Sequence, residues 1–501
     1  MGTELNSQSR VERRLAWSRS LFVLLSCFVA LNAFLFLQAT EKTEDGQTLS
    51  ATYWNASDGQ RYWGVGLNLS QGKGFTVPSQ EDEPLTRAGP IPALFFSIPM
   101  YLVAFENAPL FIVSAQCALL LIMGFLTASL ASSLRLSPYW CFGLVIFNPN
   151  LIGLAHHAQS DLLFAFVFLL TVYLSVRMLL QEGSPNLRAF VILGFVCAVL
   201  ALTRGVGKYY GLALPILIMI ATWIRSATSS HKPAWRKLTA GFVVYAIVWS
   251  LTTSPWAIRN HLVLDDFGLT QSEAIMMRDQ YRFMLRQSGL DKDLTVASPD
   301  SVARTYLAEN NLDPACIEKF KDRNCKKILM RAYMEGIQEA GVTPIVHALA
   351  RAWSSLYFSG AASRLANYIG LDVTRMHELL LTQYEGAKTI MEYARRALRE
   401  IPLYFGLLLI GLVFAFSTRM LGVIGAIRLV FTKSTLAPSL FFLFSTGLLT
   451  AAYMFVGISR YRAPLEPILM IFAVAAFGFS GDQRKSLDGK KTASKESAPH
   501  L

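Results

Sequence analysis

The chain has 501 residues, of which 53% are hydrophobic and 16% charged, and its mean hydropathy is +0.38. Soluble domains carry roughly 25% charged residues, so this composition excludes a soluble globular protein and implies an integral membrane chain. The formal charge of +12 sits in short basic runs beside apolar segments, which reads as an orientation signal and excludes a nucleic-acid surface.

In chain order, Arg10, Arg13, Arg14 and Arg19 precede an apolar run over residues 21–37. No small-x-small cleavage site follows it, so an uncleaved first span with a cytoplasmic segment 1–20 is expected. The first external loop, 38–108, then holds a distinctive stretch beginning at Asp58, with Arg61 and Tyr62 three and four residues later. Tyr62, Val65 and Leu69 share one helical face with Trp63 beside them, which predicts a helix lying on the bilayer surface. Gly72 and Gly74 close it. The apolar segment 91–105 falls short of the roughly 20 residues a span needs and carries Pro92 and Pro99, so it reads as a second juxtamembrane helix.

Further spans are expected at 110–132, 139–154, 162–179, 190–202, 212–224 and 241–251, then at 402–416, 440–456 and 465–477. With the first span this makes about ten. Arg135, Arg177, Arg188, the run from Arg225 to Lys237, Arg419, Arg428 and Lys433 then all fall on the cytoplasmic side. Counting 91–105 as an eleventh span would put the Arg225–Lys237 run outside, so that count is rejected.

The polar stretch 259–400 is too long for a connector and predicts a small helical external domain, with helices near 314–329, 344–357 and 375–398. Cys316 and Cys325 are its only cysteines, and they fit either a disulfide in an oxidising compartment or two free thiols; the disulfide is the preferred reading. Cys27, Cys117, Cys141 and Cys197 lie in apolar segments, as small hydrophobes do. The fold class is therefore all-α, a polytopic membrane bundle with juxtamembrane helices. Its expected parts are a transmembrane catalytic module over 21–258, the external domain, C-terminal spans over 401–479, and a basic cytoplasmic tail over 480–501.

The array DGQRYWGVGLNLSQGKGF, TRAGPIP, HHAQSDLLF, LALTRGVG, SPWAIRN and SRYRAPLEP resembles the C-type (GT-C) glycosyltransferases. It is most similar to the group containing lipid A aminoarabinose transferase and the protein O-mannosyltransferases. The resemblance covers about 15–265 and 450–467, and leaves out the external domain and the tail. It implies transfer of a sugar from a polyprenyl-phosphate donor to a lipid, glycan or protein acceptor at the outer face of the bilayer. A bacterial inner membrane with a periplasmic active site is the expected setting.

Residue by residue, Asp58 matches the family's acid, and a carboxylate there removes the proton of the attacking hydroxyl. Its other reading is a helix N-cap. The leaving lipid phosphate is already a stable anion, so a single inverting displacement with one base suffices. Arg61 and Arg204 match the family's basic positions, and Lys208, Arg460 and Arg462 are further candidates for the donor phosphate. Tyr62, Asp161 and His157 are substrate-binding candidates, and Arg259 reads as a fold signature. Arg87 stands where the aminoarabinose transferase pattern has a Glu-Lys pair, and it is kept as a further substrate-binding candidate. Glu81, Asp82 and Glu83 form either a solvated acidic loop or a site for a divalent cation. A transporter or lipid flippase is the competing class; it predicts internal repeats and polar residues near mid-membrane, whereas here the polar residues gather at one end.

Overall fold

The computed structural model describes residues 2–39, 59–78, 83–86, 88–103, 107–181, 185–228, 234–270, 273–290, 299–319, 322–371 and 389–478. Among these, all regular elements are helical, and the only bridge pairs Thr76 with Pro84. Helix α1 spans Gly2–Ala39; a widened π turn, Gln60–Gly64, leads into α2, Val65–Ser70. Gly72 and Gly74, at φ of 77° and 76°, end α2, as the sequence predicts. The bundle continues with α3 (Pro90–Leu102), α4 (Ala108–Ser133), α5 (Pro138–Ile146), α6 (Pro149–Ala155), α7 (Asp161–Leu180), α8 (Leu187–Thr203), α9 (Val206–Thr228) and α10 (Trp235–Leu264).

An insert follows, made of α11 (Glu273–Ser288), α12 (Pro299–Glu309), α13 (Arg323–Glu339), α14 (Val342–Phe358), α15 (Ala362–Tyr368) and α16 (Ile390–Glu400). Then come α17 (Pro402–Val430), α18 (Leu436–Tyr453), a 3-10 turn over Ser459–Leu465, and α19 (Glu466–Ala475). Of the described helices, seven are long and apolar enough to cross a membrane: the 19–39 part of α1, and α4, α7, α9, α10, α17 and α18. Helix α7 is the axis of the bundle. Of its most apolar window 72% is buried, against 17–28% for α1, α9, α10 and α17, which turn large apolar side chains outward as lipid-facing helices do.

Four of the ten expected spans differ. Those over 190–202 and 465–477 are α8, of 17 residues, and α19, of 10, and neither is among the seven. The span expected over 139–154 is broken at Asn148, because Pro149 lacks an N–H and keeps the residue before it out of the helical region. The Asn148 side chain then accepts from the N–H groups of Asn150 and Leu151 and starts α6 afresh. The span expected over 402–416 is only the first half of α17, and Arg419, read as a loop charge, lies inside the helix and is 5% exposed. Its guanidinium is neutralised by Glu466, so the charge does not end the helix.

The insert has its own core, with Tyr281, Met284, Leu307, Leu329 and Tyr333 at its centre, and Phe455 of the bundle reaches into it. A disulfide joins Cys316 to Cys325 beside that core. The helix expected over 314–329 is a short 3-10 turn, Pro314–Ile317, followed by α13; the helix expected over 344–357 is α14. Of the third, 375–398, only the end is described, as part of α16.

Candidate active site

The segment carrying α2 is strapped to the bundle by two contacts. Arg259 of α10 donates to the carbonyls of Phe75 (3.2 Å) and Leu85 (3.0 Å), with its guanidinium 4.8 Å from the Trp256 ring centroid. Gly89 lies so close to α8 that a Cβ there would stand 1.8 Å from the Leu202 carbonyl oxygen, so only glycine fits. Arg259 is therefore architectural, as its motif suggests.

These straps bring together residues that are distant in the chain. A cavity of about 210 Å³ is lined by Arg61 and Tyr62 from the π turn, Thr203 and Arg204 at the end of α8, and Tyr453 at the end of α18. Arg460 and Tyr461 from the 3-10 turn, Val456 before it, and Met276, Asp279, Gln280 and Phe283 from α11 also line it. Beneath it, Asp161, the first residue of α7 and 3% exposed, forms an ion pair with Arg204. The Arg204 guanidinium also lies 5.3 Å from the Tyr461 ring centroid and 5.9 Å from that of Phe164. Burial opposes its charge, but Asp161 and the surrounding tyrosines outweigh burial and hold its pKa above the ordinary value. Arg460 donates to the Tyr461 hydroxyl at 2.9 Å and lies over the same ring.

Several sequence candidates sit elsewhere. Lys208 donates to Glu273 of the insert at 2.6 Å, and Lys326 bridges Glu273 (3.1 Å) and Asp266 (2.7 Å). Lys208 is thus committed to docking the insert. Arg462 is 2% exposed and fully used: it pairs with Glu466 at 2.5 Å and donates to the carbonyls of Leu356, Tyr357 and Ser359. It is not among the residues that line the cavity. His157 is buried, with Nδ1 2.7 Å from the Gly153 oxygen and its ring near Tyr368; burial pushes its pKa down to about 4, so it is a neutral core residue. Asp58, Glu81, Asp82 and Arg87 lie outside the described residues, and Glu83 is exposed. Among the described residues no three His, Cys, Asp or Glu side chains cluster as a metal site.

Sequence reading missed the wall from α11, with Asp279, and the tyrosines Tyr453 and Tyr461. The motif array carries no signal for α11. Tyr461 does stand inside SRYRAP between two arginines, and that placement could have marked it.

No protein-family model and no curated protein sequence matches the chain. Solved structures similar to it include the apo oligosaccharyltransferase of Archaeoglobus fulgidus, 12% identical over 94% of this chain and 52% of its own, with a TM-score of 0.48. The chain thus spans about half the length of that protein. ArnT of Cupriavidus metallidurans is 14% identical over 95% of this chain and 81% of its own, with TM-scores of 0.35 in the apo state and 0.36 bound to undecaprenyl phosphate. All of these likenesses lie at low identity and below a TM-score of 0.5.

Proposed function

We propose that the cavity is the active site of a membrane glycosyltransferase that moves a sugar from a polyprenyl-phosphate donor to a lipid, glycan or protein acceptor. One observation carries this reading. Arg61, Arg204 and Arg460, from three separate segments, converge with three tyrosines on one small cavity at an end of an apolar bundle. Such a site suits a phosphate whose lipid tail lies in the bilayer and whose sugar stacks on aromatic rings.

In this reading the acceptor hydroxyl attacks the anomeric carbon, and Asp58, three residues before Arg61 in the chain, takes the proton. The bond from C1 to the phosphate oxygen breaks with its electron pair on that oxygen, and the arginines neutralise the charge that develops. A single displacement inverts the anomeric centre. The membrane helices over 21–258 form the catalytic module, and the 259–400 insert closes it from outside. The setting proposed is a bacterial inner membrane with the cavity facing the periplasm.

The test is transfer of labelled sugar from a panel of polyprenyl-phosphate donors by the purified protein, beside Asp58→Asn and Arg204→Ala. Asp58→Asn is expected to lose turnover by about 10²–10⁴-fold while still binding donor. Arg204→Ala is expected to weaken donor binding. Equal turnover in all three proteins would remove both assignments, and no transfer by the wild type would move weight to a transporter.

A further inference from the structure

Helix α7 carries Asp161 at its start and Arg177 in its last turn. At a rise of 1.5 Å per residue the two stand about 24 Å apart, so Arg177 marks the end of the bundle away from the candidate active site. A cavity of about 750 Å³ opens there between the ends of three helices. Arg177 of α7 and Arg188 of the first turn of α8 line it, with Gln181 and Asn186 from the connection between them and Ser133 from the end of α4.

Two guanidiniums thus meet neutral polar side chains, and no carboxylate lines the cavity among the described residues. Glu182, which lies outside the described residues, brings a single negative charge to the same connection, fewer than the two arginines carry. Neither Arg177 nor Arg188 has a side-chain hydrogen bond or ion pair with another described residue. The neighbouring Arg225 of α9 is used differently. It donates to the carbonyls of Leu179 and Gln181, and so satisfies the C-terminal end of α7, where carbonyls lack helical partners. Arg225 fastens that helix end, and Arg177 and Arg188 are not needed for it.

The apolar wall of the cavity decides which kind of anion fits. Ile192 of α8 lines it and is itself exposed, and Leu187, Val191 and Phe195, at four-residue intervals on α8, are exposed as well. The cavity is therefore basic on one side and continuous with a lipid-facing strip on the other. Asn186 accepts from the Ala189 N–H at 2.9 Å, which leaves its amide NH2 as a donor. A free anion would engage the cations alone, whereas a lipid with an anionic headgroup engages the cations and the strip together.

We propose that this cavity binds the headgroup of an anionic glycerophospholipid from the leaflet at this end of the bundle, with Arg177 and Arg188 on its phosphate and its acyl chains along α8. A diffuse orientation signal, by contrast, needs no cavity and treats every basic residue at this end alike. The site stands or falls apart from the glycosyltransferase reading.

The experiment is titration of phosphatidylglycerol and of phosphatidylcholine into the full-length protein in neutral detergent, with bound lipid read by native mass spectrometry and folding checked by thermal melting. Wild type is compared with Arg177→Gln, Arg188→Gln and Lys237→Gln. Lys237 is exposed in the first turn of α10, just past α9, and does not line the cavity. Wild type is expected to bind phosphatidylglycerol about 10-fold or more tightly than phosphatidylcholine. Each arginine variant is expected to lose about 5-fold in phosphatidylglycerol affinity with little change for phosphatidylcholine, and Lys237→Gln to match wild type.

Equal wild-type affinity for the two lipids would overturn the proposal, as would losses in the arginine variants no larger than in Lys237→Gln. Displacement of the lipid by inorganic phosphate, and not by chloride at equal ionic strength, would overturn the lipid assignment and leave a free-anion site. Should one arginine variant unfold, the wild-type comparison and the other arginine decide.

Discussion

Two arginine clusters sit at the same end of the bundle, and they are built on opposite principles. In the first, Glu466 holds Arg419 at 2.7 Å and Arg462 at 2.5 Å, and Asn148 donates to the same carboxylate at 2.9 Å. Both guanidiniums also donate to Tyr357, Arg419 at 3.3 Å from its backbone oxygen and Arg462 at 2.9 Å. Every group has a protein partner, so this cluster ties α14, α17 and α19 together and has no capacity left for a ligand. In the second, Asp161 pairs with Arg204 and lies within electrostatic reach of Arg460 and Arg364, the latter with a long hydrogen bond, 3.5 Å to Asn150. Arginine in an apolar surround is thus not in itself a binding signal. What separates the fastener from the candidate site is that the fastener's guanidiniums are enclosed by protein acceptors, whereas Arg204 and Arg460 line a cavity.

The contrast can be broken most directly at its saturated half. Glu466→Ala strands two buried guanidiniums, and a loss of about 3–5 kcal/mol is expected in thermal or denaturant unfolding of the solubilised protein. A variant as stable as wild type would show that the first cluster fastens nothing. The unsaturated half is expected to behave the other way. Arg460→Gln should melt close to wild type while losing about 10-fold or more in affinity for polyprenyl phosphate, read by titration.

Lys208 offers the finest and smallest test, because sequence reading placed it with the site and the structure places it with a saturated network. Burial works to raise the pKa of Glu273, but Lys208 and Lys326 outweigh it and hold it below its ordinary 4.5. Its stabilising share is therefore complete above pH 4.5 and lost as pH falls through the lower folded value. For Lys326, burial lowers the pKa but its carboxylates raise it above 10.5, so that share is complete below pH 10.5 and lost as pH rises through the folded value. Glu273→Gln is accordingly expected to show a smaller drop in melting temperature between about pH 7 and pH 3 than wild type. Lys208→Ala should weaken the insert's attachment and leave lipid-phosphate affinity nearly unchanged; a large affinity loss would return Lys208 to the site.

The helices were legible because hydropathy and helix punctuation act locally. Gly72 and Gly74 end α2, and Asn148 with Pro149 could have announced the break between α5 and α6. Arg61 and Arg204 were legible through the motif array. What stayed hidden is long-range pairing. Arg419 looked like a loop charge because its partner, Glu466, lies 47 residues on. Lys208 looked available because Glu273 is 65 residues away, in a segment without a motif. Arg364 drew no notice for the same reason, since nothing around it in the chain states that α15 will lie against α6. Charges read from sequence come without their partners, so sequence finds the cations and cannot say which are already neutralised.

The turn after α18 has a broader consequence. Met454 sits at φ 32°, and the chain there is gripped from both sides by the insert. Gln280 accepts from the Phe455 N–H at 3.0 Å and donates to the Tyr453 carbonyl, while Trp353 donates to the Met454 carbonyl at 3.2 Å. The residues on either side of this turn, Tyr453 and Val456, face the cavity. The insert is therefore a mould in which part of the bundle's own backbone is cast. Descendants of such a chain could exchange the insert, acquire a differently shaped chamber, and keep every membrane helix as it was.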